Sequence, residues 1–121
     1  MKRKVMVVDD DVNLTRLVKQ VLEKKGDYEV VVENVSTRAA QRVLEIMPDL
    51  IVLDVVMPGK DGGEVQWEIR QNERTKRIPI VILTSMVTKE ESGMIAGDKF
   101  LAKPVRMDEL ISAIEAGLMP A

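Results

Sequence analysis

The stretch Leu50-Ile51-Val52-Leu53-Asp54-Val55-Val56-Met57-Pro58-Gly59 constrains this chain most. It is an apolar, β-branched run with a single carboxylate in its middle and a turn signal at its end. Bounded by Pro48-Asp49 before it and Pro58-Gly59 after it, it reads as a strand buried on both faces, the kind that parallel sheets contain. A carboxylate is rarely buried unless it is paired or bound to a cation. Asp54 therefore belongs near the strand's C-terminal mouth, beside a cation, or both.

The rest of the chain alternates apolar strand-like runs with amphipathic stretches, the pattern of an α/β protein with a doubly wound five-stranded parallel sheet. Val5 to Val8 reads as the first strand, followed by a helix with Leu14, Leu17, Val18, Val21 and Leu22 at helical spacing and Gly26 as its stop. Glu29 to Val32 is the second. Ser36 is placed to cap the next helix, which carries Ala39, Ala40, Val43, Leu44 and Met47 on one face and ends at Pro48. After the third strand, Val65 and Ile69 mark the inner face of a third helix. Ile80 to Leu83 is the fourth strand and Lys99 to Ala102 the fifth, with a short helix capped by Thr88 and limited by Gly93 and Gly97 expected between them. The last helix carries Met107, Leu110, Ile111, Ile114 and Leu118, with Asp108 and Glu109 favouring its positive N-terminal end. At 121 residues with 45% hydrophobic content, residues 1–121 are expected to form one domain with a sizeable core.

Composition narrows the chemistry. There is no cysteine and no histidine, which excludes disulfides, thiolate metal sites, histidine acid/base catalysis and most zinc or copper centres. A net charge of −2 gives no reason to expect nucleic-acid or membrane binding. The apolar run after Lys4 is too short for a signal peptide, and no segment approaches the roughly 18 apolar residues of a membrane span. A cytoplasmic location is expected.

Several strands stop on a reactive side chain: the first on Asp9-Asp10, the third on Asp54, the fourth on Thr84, the fifth on Lys103. In an open doubly wound sheet all C-terminal strand ends share one edge, where ligands bind. Three carboxylates, a hydroxyl and an ammonium would meet there. Carboxylates about 5 Å apart repel by roughly 3 kcal/mol per pair at an effective dielectric of 20, which favours a hard cation, magnesium or manganese, among them. A carboxylate can also attack phosphorus to give an acyl phosphate, with the cation and Lys103 neutralising charge on the phosphoryl oxygens.

Blander readings stand beside this one. Asp11 is better explained as a helix cap than as a ligand. Thr84 taken alone is an ordinary strand-end residue, and Lys103 alone an ordinary surface lysine. Asp9, Asp11 and Asn13 occupy the first ligand positions of a calcium loop, but Leu14 replaces its glycine and Gln20 its terminal glutamate. Gly59-Lys60 lacks the spacing of a P-loop. Asp9-x-Asp11 faintly resembles the motif of haloacid-dehalogenase phosphatases, but Asn13 is wrong for it.

With these residues placed, essentially the whole chain resembles a response-regulator receiver domain, the aspartate-phosphorylated partner of histidine kinases, and is similar to the stand-alone chemotaxis type. The motifs that carry the likeness occur in order: Val7-Val8-Asp9-Asp10, Leu53-Asp54-Val55-Val56-Met57-Pro58-Gly59-Lys60-Asp61-Gly62, Ile82-Leu83-Thr84-Ser85 and Phe100-Leu101-Ala102-Lys103-Pro104. The resemblance implies a flavodoxin-like sheet of order 2-1-3-4-5 and a phosphorelay function. Asp54 is then the phosphoacceptor. Asp10, Asp54 and the Val56 backbone carbonyl ligate magnesium, and Asp9 acts through a metal-bound water. Lys103 holds a phosphoryl oxygen, Thr84 moves to the phosphoryl group, Phe100 turns inward, and the Lys103-Pro104 bond is cis. The implied partners are a sensor histidine kinase or phosphotransfer protein and a downstream protein. On this view the chain is not an enzyme in the usual sense, catalysing only its own phosphorylation and slow dephosphorylation. The alternatives are a pseudo-receiver that binds protein without phosphorylation and an unrelated aspartyl phosphatase.

Two departures matter. Thr84 to Lys103 is shorter than the family's usual interval, so the fourth helix is expected to be stunted and the output face altered; the last helix also lacks the arginine of the DNA-binding OmpR-like dimer. Val56 and Met86 are apolar where the family tunes attack by water. The implied consequence is a long-lived phosphoryl group, set against the simpler reading that both pack the site rim.

Overall fold

The computed structural model describes residues 2–85, 93–95 and 98–119, the segment 93–95 by its backbone alone. Its elements are β1 (Arg3–Val8), α1 (Val12–Lys25), β2 (Tyr28–Glu33), a 3₁₀ turn (Ser36–Arg38), α2 (Ala39–Ile46), β3 (Leu50–Asp54), α3 (Gly62–Gln71), β4 (Ile80–Thr84), β5 (Gly93–Ile95), β6 (Asp98–Ala102) and α4 (Met107–Leu118). The strands form one sheet of order β2-β1-β3-β4-β6-β5. The first five of these are parallel, in the expected order 2-1-3-4-5 once β6 is counted as the fifth parallel strand.

Alternation along the strands builds two cores. Val5, Val7, Leu50, Val52, Val81 and Leu83 meet Val18 and Leu22 of α1 and Leu110, Ala113 and Ile114 of α4. Met6, Val8, Ile51, Leu53, Ile80 and Ile82 meet Val43 of α2, Val65 and Ile69 of α3, and Phe100. Because both faces are covered, every residue of β3 and β4 is buried, which is why these segments read as unbroken apolar runs.

The chain departs from its sequence reading in four places, the first being Met47, expected on the inner face of α2 but found as its exposed C-terminal cap. Gly93–Ile95, inside the span where a shortened fourth helix was expected, forms a sixth strand, antiparallel to β6, with Ile95 opposite Asp98; residues 86–92, the rest of the span before it, lie outside the described residues. Glycine at the head of that strand is a poor helix former; Met86, Thr88 and Gly97 lie outside the described residues. Ser36 does not cap α2: it opens the 3₁₀ turn, and its hydroxyl goes elsewhere. Leu17, at helical spacing with the core residues of α1, is 46% exposed, because the sheet is covered by the narrower stripe of Thr15, Val18 and Leu22.

Capping follows local chemistry. Asp11 accepts from the Leu14 N–H at 3.1 Å and starts α1. Asp61 does the same for α3 through Glu64 at 2.9 Å, and each supplies negative charge at a positive helix end. Helix α2 ends with Met47 in the left-handed region at φ 50°, its N–H on the Val43 carbonyl.

Candidate functional site

The ladder register brings the C-terminal strand ends level. Val8 lies opposite Leu53, Asp54 opposite Leu83, and Thr84 opposite Ala102. Asp9, Asp54, Thr84 and Lys103 therefore emerge along one edge. Asp9 is fully buried, Asp54 and Thr84 nearly so, and Asp10 is exposed. Asp9, Asp10 and Asp54 can each present one carboxylate oxygen with all three within 4.8 Å of one another, a donor set of hard oxygens that fits a magnesium-like cation.

Lys103 spans the cluster. Its Nζ lies 3.0 Å from Asp9 Oδ2 and 3.2 Å from Asp54 Oδ1. Its N–H donates to the Thr84 carbonyl at 2.8 Å, continuing the ladder past β6; the Lys103–Pro104 peptide is cis, as expected. Burial and then the charge of Asp9 push the Asp54 carboxyl up to about 6, against the pull of Lys103. Burial works against the charge on Lys103, but its bonds to Asp9 and Asp54 prevail and raise its pKa. The site is thus a short-range ion cluster with two buried acids and one half-buried base, poised to take up positive charge.

Residues that local sequence patterns do not reveal hold this arrangement. Asn34 Nδ2 donates to the Asp9 carbonyl at 2.7 Å and to Thr15 Oγ1 at 3.0 Å, tying β2 to the start of α1. Asp9 Oδ1 accepts the Asp11 N–H at 3.0 Å. Gly62 N–H donates to the Val55 carbonyl at 2.8 Å. A Cβ on Gly62 would fall 2.3 Å from the Asp54 carbonyl oxygen, so only glycine allows α3 to start this close to the end of β3. Val56 is 53% exposed, and Phe100 is already buried at 6% exposure against the α2–α3 core.

A family model described as the response regulator receiver domain matches residues 5–115. The chain belongs to that family. Receiver domains of this family serve phosphorelay signalling in two-component systems. Solved structures agree over nearly the whole length. Vibrio cholerae chemotaxis protein CheY4 is similar at 27% identity and a TM-score of 0.84, over 98% of this chain and 100% of that one. The receiver domain of Francisella response regulator 1452 matches at 28% and 0.85, over 97% of both chains. The BeF3-activated N-terminal receiver domain of Klebsiella pneumoniae RstA matches at 30% and 0.81, over 98% and 100%. Among the described residues, no helix is long and apolar enough to cross a membrane.

Proposed function

We propose that this receiver domain is a phosphorylation-controlled switch in which Asp54 accepts a phosphoryl group from a histidine kinase or phosphotransfer protein, with magnesium bound in the acidic cluster. The observation that carries this reading is the Lys103 ammonium held between Asp9 and Asp54 beside a third carboxylate, Asp10. A protein-binding module with no phosphoryl chemistry has no need of a self-repelling cluster that costs stability.

In the reaction an Asp54 carboxylate oxygen attacks the donor's phosphorus. The new O–P bond forms as the P–N bond to the donor imidazole breaks, and the imidazole nitrogen keeps the electron pair and takes up a proton. Asp54 is fixed by the fully buried strand below it, so its approach is set before the donor arrives. Asp10, Asp54 and the Val56 carbonyl would hold the cation, with Asp9 acting through a water, and the cation supplies charge against the phosphoryl oxygens. Lys103 moves with the charge. Its ammonium, now shared by two carboxylates, is close enough to follow the phosphoryl oxygens as the negative charge on Asp54 shifts outward. Thr84, last in β4, would offer its hydroxyl to the phosphoryl group, and Phe100, paired with Ile82 in the neighbouring strand, would report it through its packing. We place the chain in the cytoplasm, acting once per phosphorylation rather than turning over substrate.

Incubation with phosphoramidate and magnesium tests this reading. One hydroxylamine-labile phosphoryl group per chain, absent in Asp54→Ala, is expected. No adduct would leave a pseudo-receiver, and repeated hydrolysis of small phosphate esters would leave a phosphatase. Val56, apolar two residues after the acceptor, offers no group to orient a hydrolytic water. The phosphoryl group should therefore outlast minutes and be lost faster in Val56→Ala; a native lifetime of seconds would refute the protective role.

A further inference from the structure

The buried hydroxyl of Ser36 is unexplained by the acidic cluster. Ser36 lies just past β2, is 3% exposed, and sits at the head of the 3₁₀ turn without capping it. Its Oγ donates to the Pro58 carbonyl at 2.8 Å and accepts the Lys60 N–H at 3.0 Å. One hydroxyl thus takes both backbone groups that flank Gly59. The turn lies against it: Gly59 has φ 85°, and a Cβ there would be in contact with both Ser36 Oγ and Thr37 Cγ2 at 3.4 Å.

This turn is the tip of the loop that leaves β3 at Asp54 and enters α3 at Gly62. The base of the loop is closed by the Gly62 N–H on the Val55 carbonyl at 2.8 Å. Met57 anchors one side in the α2–α3 core, and Lys60 Nζ pairs with Glu68 at 2.7 Å. Between base and tip stands Val56, whose carbonyl is the one backbone oxygen assigned to the cation. A carbonyl has no freedom apart from its peptide plane, so its direction depends on what fixes the residues on either side. The ladder bond from the Val55 N–H to the Leu83 carbonyl, at 3.0 Å, fixes the side toward the sheet. Ser36 fixes the other.

We infer that Ser36 is a positioning residue for the cation, its two hydrogen bonds holding the Pro58–Lys60 turn so that the Val56 carbonyl faces the acidic cluster. The inference rests on the functional reading above, since it needs a cation in that cluster. Serine fits because a single hydroxyl oxygen both donates to the Pro58 carbonyl and accepts the Lys60 N–H. Alanine fills nearly the same volume but leaves the Pro58 carbonyl and Lys60 N–H to find water, and the turn can then rotate.

Isothermal titration of magnesium into the wild-type chain, Ser36→Ala, Ser36→Thr and Asp54→Asn tests this, with circular dichroism to establish that each is folded. Loss of a group that supports a ligand typically weakens metal binding by about 10-fold or more. Ser36→Ala should show that loss, and Ser36→Thr, which keeps the hydroxyl, should recover most of it. Amide exchange at Lys60 gives a second reading that does not depend on Ser36→Thr folding: it should be faster in Ser36→Ala and slowed by magnesium in the wild type. Binding by Ser36→Ala within about 2-fold of wild type, or unchanged Lys60 exchange, overturns the inference while leaving the functional reading intact. A wild-type chain that binds no magnesium overturns both.

Discussion

Replacing Asp54 by Asn in metal-free buffer probes the electrostatics of the site directly. Asp54 is 2% exposed, and its carboxyl is raised from an ordinary 3.8 to about 6. An acid whose pKa is raised by folding binds its proton more tightly in the folded chain. Its contribution to stability is therefore fully present below the unfolded value and is lost as the pH rises through the folded one. The gap of roughly two units, at about 1.4 kcal/mol each, makes the ionised group cost about 3 kcal/mol at pH 7.5. Asparagine keeps the shape and an oxygen for Lys103 without the charge. Asp54→Asn should therefore be more stable than the wild type by about 2–3 kcal/mol at pH 7.5 in chelator, and by about half as much at pH 5. Urea denaturation at both pH values, followed by circular dichroism, measures the difference. Magnesium should then narrow the gap at pH 7.5, since it stabilises only the form that binds it. A variant no more stable than the wild type would refute the argument. So would a gain of equal size at both pH values, which would mean that packing and not charge had been relieved.

Three further changes test the framework around the site. Gly62→Ala puts a Cβ 2.3 Å from the Asp54 carbonyl oxygen and 2.6 Å from Val55 Cα; it should cost about 1–3 kcal/mol in urea denaturation and weaken magnesium binding in the same protein. Asp98, buried at the start of β6, accepts from Gln66 Nε2 and from Arg70, whose Nη1 also donates to the Lys76 and Ile78 carbonyls. Asp98→Ala leaves that guanidinium without its counter-charge, and with Arg70 a quarter exposed the loss should fall near the lower end of the range for a broken buried pair, about 3 kcal/mol by thermal denaturation. Met47 is 39% exposed at φ 50°, so Met47→Gly should stabilise the chain by about 0.5–1 kcal/mol through relief of left-handed strain, with phosphoryl uptake unchanged.

What the sequence makes legible here is what repeats locally. Each buried strand is an apolar run, and each site residue is the first polar side chain after one, so Asp9, Asp54, Thr84 and Lys103 stand out without any tertiary information. Ser36 shows the limit. A serine before an amphipathic stretch has the signature of a helix cap, but its hydroxyl serves a turn 22 residues away, and no local pattern encodes that. The Asp98, Gln66 and Arg70 network is hidden for the same reason, its members lying 28 and 32 residues apart. Strand β5 escapes differently: three residues beginning with glycine are too few to display a period of two, and the pairing that makes them a strand lies wholly in β6. Leu17 fits the helical period, yet the period says nothing of how wide a stripe the sheet will cover.

The core and the chemistry are joined through register. A parallel ladder that slips by one residue moves a strand end by about 3.3 Å and turns every side chain to the other face. Lys103 reaches both acids at 3.0 and 3.2 Å, so such a slip in β1, β3 or β6 would end that contact. What prevents it is burial: Leu50, Ile51, Val52 and Leu53 are all fully buried, and each contributes about 1.5–3 kcal/mol as an upper estimate. Together they exceed the roughly 3 kcal/mol that the ionised Asp54 costs. The strand can therefore hold the Asp54 carboxylate in an unfavourable place, so the apolar run before it sets the electrostatics of the site as well as the stability of the sheet.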